Sequence, residues 1–151
     1  IKEFHNIAVA PYKGIPIGCR EEEVVELERQ FGFPFPEAYR QFLLWMGKDL
    51  KGVFVGSEWF YNDLISNSQG LKSLLTDNKV DFELTAHYLA FFMHQGYMAA
   101  WFTLPKDSEN PEVYFYNECE MASPRIEGKF TEFLFRDMRG MASFLPGLHR
   151  N

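Results

Sequence analysis

Apolar residues recur at helical spacing from Glu21 onward, with Val24, Leu27 and Phe31 forming one stripe, the pattern of a helix that buries a single face. Glu21, Glu22 and Glu23 occupy its first turn, where the helix dipole favours negative charge. Gly32 stands where a left-handed C-terminal residue is needed. A second stripe, Tyr39, Phe42, Leu43 and Met46, follows at once and stops at Gly47. Between the stripes lies Phe33-Pro34-Phe35-Pro36. A residue that precedes proline is pushed out of the α region, so Phe33 and Phe35 are expected to be extended, and Pro36 suits the first position of the next helix. The pattern predicts two short helices held at an angle, both stripes covering one apolar surface, with Arg40 and Gln41 facing water.

Elsewhere the periodicity changes. Pro11, Gly14, Pro16 and Gly18 mark residues 1–18 as an extended arm. Gly52 to Gly56 reads as a short strand, and Asn62 to Asn78 as helical turns weakened at Gly70. Tyr88 to Leu104 is an aromatic run around a turn at His94-Gln95-Gly96, and Val113 opens a further strand after the polar loop KDSENPE. An antiparallel meander is the simplest reading, a mixed sheet being compatible as well. Phe130, Phe133, Leu134 and Met138 give a closing helix. No linker or repeat divides the chain, so residues 1–151 are read as one α+β domain whose sheet is covered by the N-terminal helix pair and the C-terminal helix.

Composition sharpens this picture in two ways. Sixteen Phe are too many for a solvated surface, so most must fill one core, and several left facing solvent would imply a homodimer and not a monomer. The formal charge of −6 argues against phosphate-backbone binding, which depends on counterion release by basic side chains, and favours a basic protein partner over a nucleic acid. Cys19 and Cys119 stand far apart without a C-x-x-C pair, as expected for reduced, part-buried thiols. No apolar run approaches the ~18 residues of a membrane span, and the first residues lack a charged region leading into an apolar signal core. A cytoplasmic protein is expected.

At FGFPFPEAYRQFLLWMG the sequence resembles the SUKH superfamily, which includes Smi/Knr-type cell-wall-synthesis regulators and bacterial immunity proteins. The resemblance runs through Glu28, Gly32, Phe33, Pro36, Tyr39, Phe42 and Leu43, with Phe35 where the family usually has Leu, and continues to a closing Phe130-Thr-Glu-Phe-Leu134. It covers about residues 19 to 138. Met46-Gly47-Lys48 replaces the Asn-Gly-Gly often found after the second helix, and the first helix lacks the usual Ser or Thr cap. The matched motif supplies core residues and names no catalytic group. It implies a non-catalytic domain that binds another protein: a bacterial immunity protein for a cognate toxin, nucleases being frequent among such toxins, or alternatively a regulatory scaffold like the fungal members.

Candidate chemistry is sparse. His87 and His94 have no carboxylate completing a metal-ligand set, Cys119 has no local nucleophile signature, and Gly96, Gly128 and Gly140 lie outside any phosphate-binding loop. No metal, cofactor or catalytic residue is predicted. Glu118 and Glu120 would share one face of a strand, the arrangement a hydrolase requires, but such spacing is common by chance. More telling is the run Asp107, Glu109, Glu112, Glu118 and Glu120 against Lys106 alone, five acids to one base. Its bland reading is a solvated hairpin end; its functional reading is a face that docks on a basic toxin cleft. Trp59 and Tyr61 flank Phe60 after a turn and are candidate exposed anchors, because Trp and Tyr dominate binding hot spots. The basic C-terminal stretch RDMRGMASFLPGLHR is broken by Gly140, Pro146 and Gly147, so membrane binding is not expected.

Overall fold

The computed structural model describes residues 17–48, 57–59, 61–104 and 108–142. The predicted arm before residue 17, the predicted strand at 52–56, Phe60, Asp107 and the chain beyond residue 142 lie outside the described residues.

Helices α1 (Glu21–Phe31) and α2 (Glu37–Met46) flank the elbow foreseen from the prolines. The chain continues through β1 (Ser57–Glu58), a 3-10 turn (Tyr61–Asp63), α3 (Leu64–Asp77), β2 (Tyr88–His94), β3 (Met98–Thr103), β4 (Glu112–Asn117), β5 (Arg125–Lys129) and α4 (Phe130–Ala142). The strands form one antiparallel sheet in the order β1-β2-β3-β4-β5, so the meander alternative holds. Its β2–β3 hairpin closes through Gln95 and Gly96, both at positive φ (48° and 78°), and Tyr97 N–H donates to the His94 carbonyl at 3.1 Å. Two positive φ values match the right-handed twist of the strands they join.

The elbow is set by local chemistry. Gly32 ends α1 at φ 85°, donating its N–H to the Glu28 carbonyl at 2.8 Å, a conformation that costs glycine little because it has no Cβ. Pro36 is the N-cap of α2 and not its first residue; its carbonyl accepts from Tyr39 and Arg40 N–H, both at 3.0 Å. At the start of α1, where the usual Ser or Thr is missing, the Glu23 carboxylate accepts the Arg20 N–H at 3.0 Å, half of a capping box. Arg40 departs from its predicted place in water: its guanidinium is only 19% exposed and pairs with both Glu28 and Glu21. The Glu28 carboxylate also accepts the Phe35 N–H at 2.6 Å. One side chain therefore holds the elbow's backbone and clamps α2 to α1. Glu28→Ala is expected to cost about 1.5–3 kcal/mol, the range for hydrogen bonds to a charged group. Denaturant unfolding of Glu28→Ala, Arg40→Ala and the double variant should show positive coupling; additive losses would mean that the clamp contributes nothing.

Packing divides the apolar residues between the two faces of the sheet. On one face α1, α2 and α4 enclose Tyr39, Phe42, Trp59, Phe91, Phe102 and Phe130, all fully buried. Phe91 lies at the middle, its ring 5.1 Å from Phe130, 5.3 Å from Trp59 and 5.6 Å from Phe102. It reaches this position through a bulge. Ala90 pairs with Trp101 but Phe92 with Ala100, so Phe91 is the unpaired extra residue, and Phe91 and Phe92 enter the same core where regular alternation would send them to opposite faces.

The second face carries Ala90, Met93, Ala99, Trp101 and Tyr116, covered by Leu71, Leu74 and Leu75 of α3. The helices expected over the sheet thus account for one side, and α3 supplies the other. Gly70 does not break α3, which runs through it. A Cβ there would lie 2.8 Å from the Met93 sulfur, so glycine lets the helix lie close against β2. Of the cysteines, Cys19 is buried, but Cys119 is exposed, contrary to the part-buried thiol expected.

Candidate protein-docking surface

β4 separates the acidic run that looks continuous in the sequence. Glu109 and Glu112 lie before or at its start, Glu118 and Glu120 beyond its end, and a six-residue strand spans about 17 Å between its terminal residues. They lie at the two ends of that strand. Glu109 is occupied: its carboxylate accepts the Glu37 N–H at 2.9 Å and its carbonyl the Ala38 N–H, also at 2.9 Å, capping the N-terminus of α2, where the helix dipole favours an acid. Glu112 is exposed on β4 opposite Lys129. Glu118 and Glu120 sit not on a strand but in the turn after it, both exposed, and Glu118 accepts from the Asn78 amide at 2.9 Å. The turn is made by Asn117, whose side-chain oxygen accepts the Cys119 N–H at 2.9 Å, as Asx residues do. An exposed pair on a turn lacks the dry pocket that carboxylate catalysis needs.

Of the two aromatic anchors, Trp59 is fully buried. Its indole packs against Phe91, Phe92 and Phe133, and Nε1–H donates to Asp137 Oδ2 at 3.1 Å, so it is a core residue and not a surface anchor. Tyr61 is half-buried, its ring 5.6 Å from Lys48 Nζ, and it lines a groove that sequence reasoning missed.

That groove runs between α1 and the start of α3. Leu27, Tyr61 and Ile65 line it, with Glu22, Glu23 and Glu26 along the α1 side and Arg20 at one end, enclosing about 450 Å³. It continues past Gln30 and Ile65 into a second hollow of about 270 Å³ bounded by Phe31 and Tyr88. Ile65, on α3, is 49% exposed and Val25, on α1, 53%. Salt bridges shape the rim: Lys48 beside Glu23 holds that carboxyl down at about 2, and Arg29 beside Glu26 does the same, also to about 2. Both therefore stay ionised well into acid. Glu22 was visible in the sequence only as a first-turn acid and Ile65 not at all, since only the packing of two distant segments brings them together.

The second singular feature is Asp137 on α4. Desolvation raises its carboxyl from 3.8 to about 6, against the opposing pull of the Trp59 hydrogen bond and of His94 and Arg136 nearby. It opens on a cavity of about 280 Å³ floored by Phe92, Met98, Phe115 and Phe133 and edged by Arg125, Glu127 and Arg136. Among the described residues, no group of three or more His, Cys, Asp or Glu can hold a metal ion, and no helix is long and apolar enough to cross a membrane.

A search of the curated proteins finds no match. A protein-family comparison does: the model of the SMI1 / KNR4 family (SUKH-1) matches residues 18–136, from the turn before α1 into α4 and so across both helices of the elbow, the whole sheet and α3. With a match of that extent over this fold, the chain belongs to the SMI1 / KNR4 family of the SUKH superfamily.

Proposed function

We propose that this protein is a non-catalytic binding domain that acts as an immunity protein, neutralising a cognate toxin by occupying a basic surface on it. The groove between α1 and α3 carries the reading: an apolar floor with a half-exposed isoleucine lies under carboxylates that remain ionised. Apolar contact at the centre with charge at the rim is the usual anatomy of a protein interface, and acidic rims raise the rate of encounter with basic partners. Tyr61 is the aromatic anchor of this surface. Glu112, Glu118 and Glu120 would add longer-range attraction from the sheet ends, while Glu109 is committed to α2. The domain would act in the cytoplasm of the toxin-producing cell, by stoichiometric grip.

The test is a mixture with the toxin encoded beside it. A one-to-one complex burying about 1,200–2,000 Å² is expected. Glu22→Lys with Glu26→Lys should slow association about tenfold at low salt, and Ile65→Glu should speed dissociation. Unchanged kinetics in both variants would remove the groove from the interface. A protein that binds no toxin but holds cell-wall or signalling enzymes through the same groove would be a regulatory scaffold instead.

A further inference from the structure

Asp137 belongs to α4, and the cavity it opens on shares no lining residue with that groove. Its carboxylate is part-buried, and Trp59 Nε1–H donates a hydrogen bond to it. The rim guanidiniums are engaged elsewhere. Arg125 pairs with the Glu127 carboxylate; Arg136 donates Nη2–H to the Glu127 carbonyl at 2.7 Å, lies 3.5 Å from its carboxylate, and sits 5.8 Å from the centre of the Phe133 ring. Among the described residues no ion pair joins either arginine to Asp137. A desolvated carboxylate whose hydrogen bond comes from a neutral indole, with the charges of His94 and Arg136 offsetting only part of the loss of water, is an expensive arrangement, and such groups cluster where a ligand completes them. The cavity above it, about 280 Å³, falls just below the ~300–1,000 Å³ of sites for drug-sized molecules but admits one long side chain. Its floor is aromatic, and ring faces attract cations.

We propose that this cavity is a socket for a single arginine or lysine side chain of a bound protein, whose cationic head pairs with Asp137 over the phenylalanine floor. The proposal draws on the binding function above only for the source of that side chain. An anion would enter facing Asp137, and a purely apolar group would leave the carboxylate uncompensated, so a cation is the class that both floor and carboxylate accept.

The probe is the capped tripeptide acetyl-Gly-Arg-Gly-amide, added to the full chain at pH 7.5 and followed by the Trp59 indole N–H resonance and the Asp137 carboxyl signal. The indole signal should move in a saturable manner. At ten times the dissociation constant, the Asp137 titration midpoint should fall by about one pH unit, because the peptide binds the ionised form. Asp137→Asn should weaken binding about tenfold or more while unfolding remains cooperative. The matching Gly-Glu-Gly peptide should not move the indole. An unmoved indole at about ten times a millimolar dissociation constant, equal affinity in Asp137→Asn, or binding of the acidic peptide would each overturn the socket, the last by assigning the rim arginines to an anion. Ile65→Glu must leave peptide binding intact, so failure of the groove and failure of the socket are told apart.

Discussion

Replacing Phe91 by alanine is expected to lower stability by about 3–5 kcal/mol, the range for deleting a buried aromatic ring. Domains of this kind hold only about 5–15 kcal/mol in total, so the variant should unfold near ambient temperature or at little denaturant. The magnitude follows from position. The bulge delivers Phe91 into ring contact with Tyr39, Trp59, Phe102, Phe130 and Phe133 at once, drawing together α2, the segment after β1, β3 and α4, and a cavity so enclosed cannot collapse without moving several rings. Phe82, partly exposed and touching Trp101 and Tyr114, is the control: its alanine variant should lose clearly less. Equal losses measured by urea unfolding would show that the bulge does not organise the core.

Asp137→Asn should act in the opposite direction, by an amount that grows above pH 3.8 and is complete above about 6. The folded-state carboxyl titrates at about 6 against an ordinary value of 3.8; a raised value means that folding favours the protonated form. Below 3.8 the group is neutral in both states and imposes nothing. As pH rises from 3.8 to 6 the unfolded chain ionises while the folded one still holds the proton, so a penalty builds that is complete above 6 and reaches about 3 kcal/mol at 1.36 kcal/mol per pH unit. Asparagine keeps an acceptor for Trp59 Nε1–H and cannot ionise. The variant should therefore exceed the parent by only about 1 kcal/mol near pH 4.5 and by up to the full amount at pH 8. Measurements should stop at 4.5, because Glu23 and Glu26, depressed to about 2, contribute stability that fades as acid protonates them. A gain of the same size at pH 4.5 and pH 8 would exclude ionisation as its cause.

Proline and glycine announce themselves in sequence because they constrain the backbone directly, so the elbow at 32–36, the Gln95-Gly96 turn and the helices they bound were legible. The stripes of α1, α2 and α4 were legible for the same local reason. Three things were not. Periodicity gives no sign of a bulge, and regular alternation would place Phe91 and Phe92 on opposite faces. Glu28–Arg40 and Trp59–Asp137 join residues 12 and 78 positions apart, and a surface arginine, a surface tryptophan and their buried counterparts are identical as letters. The acidic residues were read as one patch because they adjoin in sequence, although Asn117 marked a turn that turns Glu118 and Glu120 away from the strand. The docking groove shares this fate: its carboxylates were visible as a favourable first turn, but the floor under them exists only once α3 packs beside α1.

Helices over both sides of the sheet have a further bearing on how such a protein can change. Every interior side chain of β2 and β3 is enclosed, so that only the end residues of these strands can be exchanged without disturbing a core. Novel partners must then be accommodated by substitutions on outer helix surfaces and at strand-connecting bends, so that a lineage can turn over its recognition chemistry rapidly around an almost immobile middle layer.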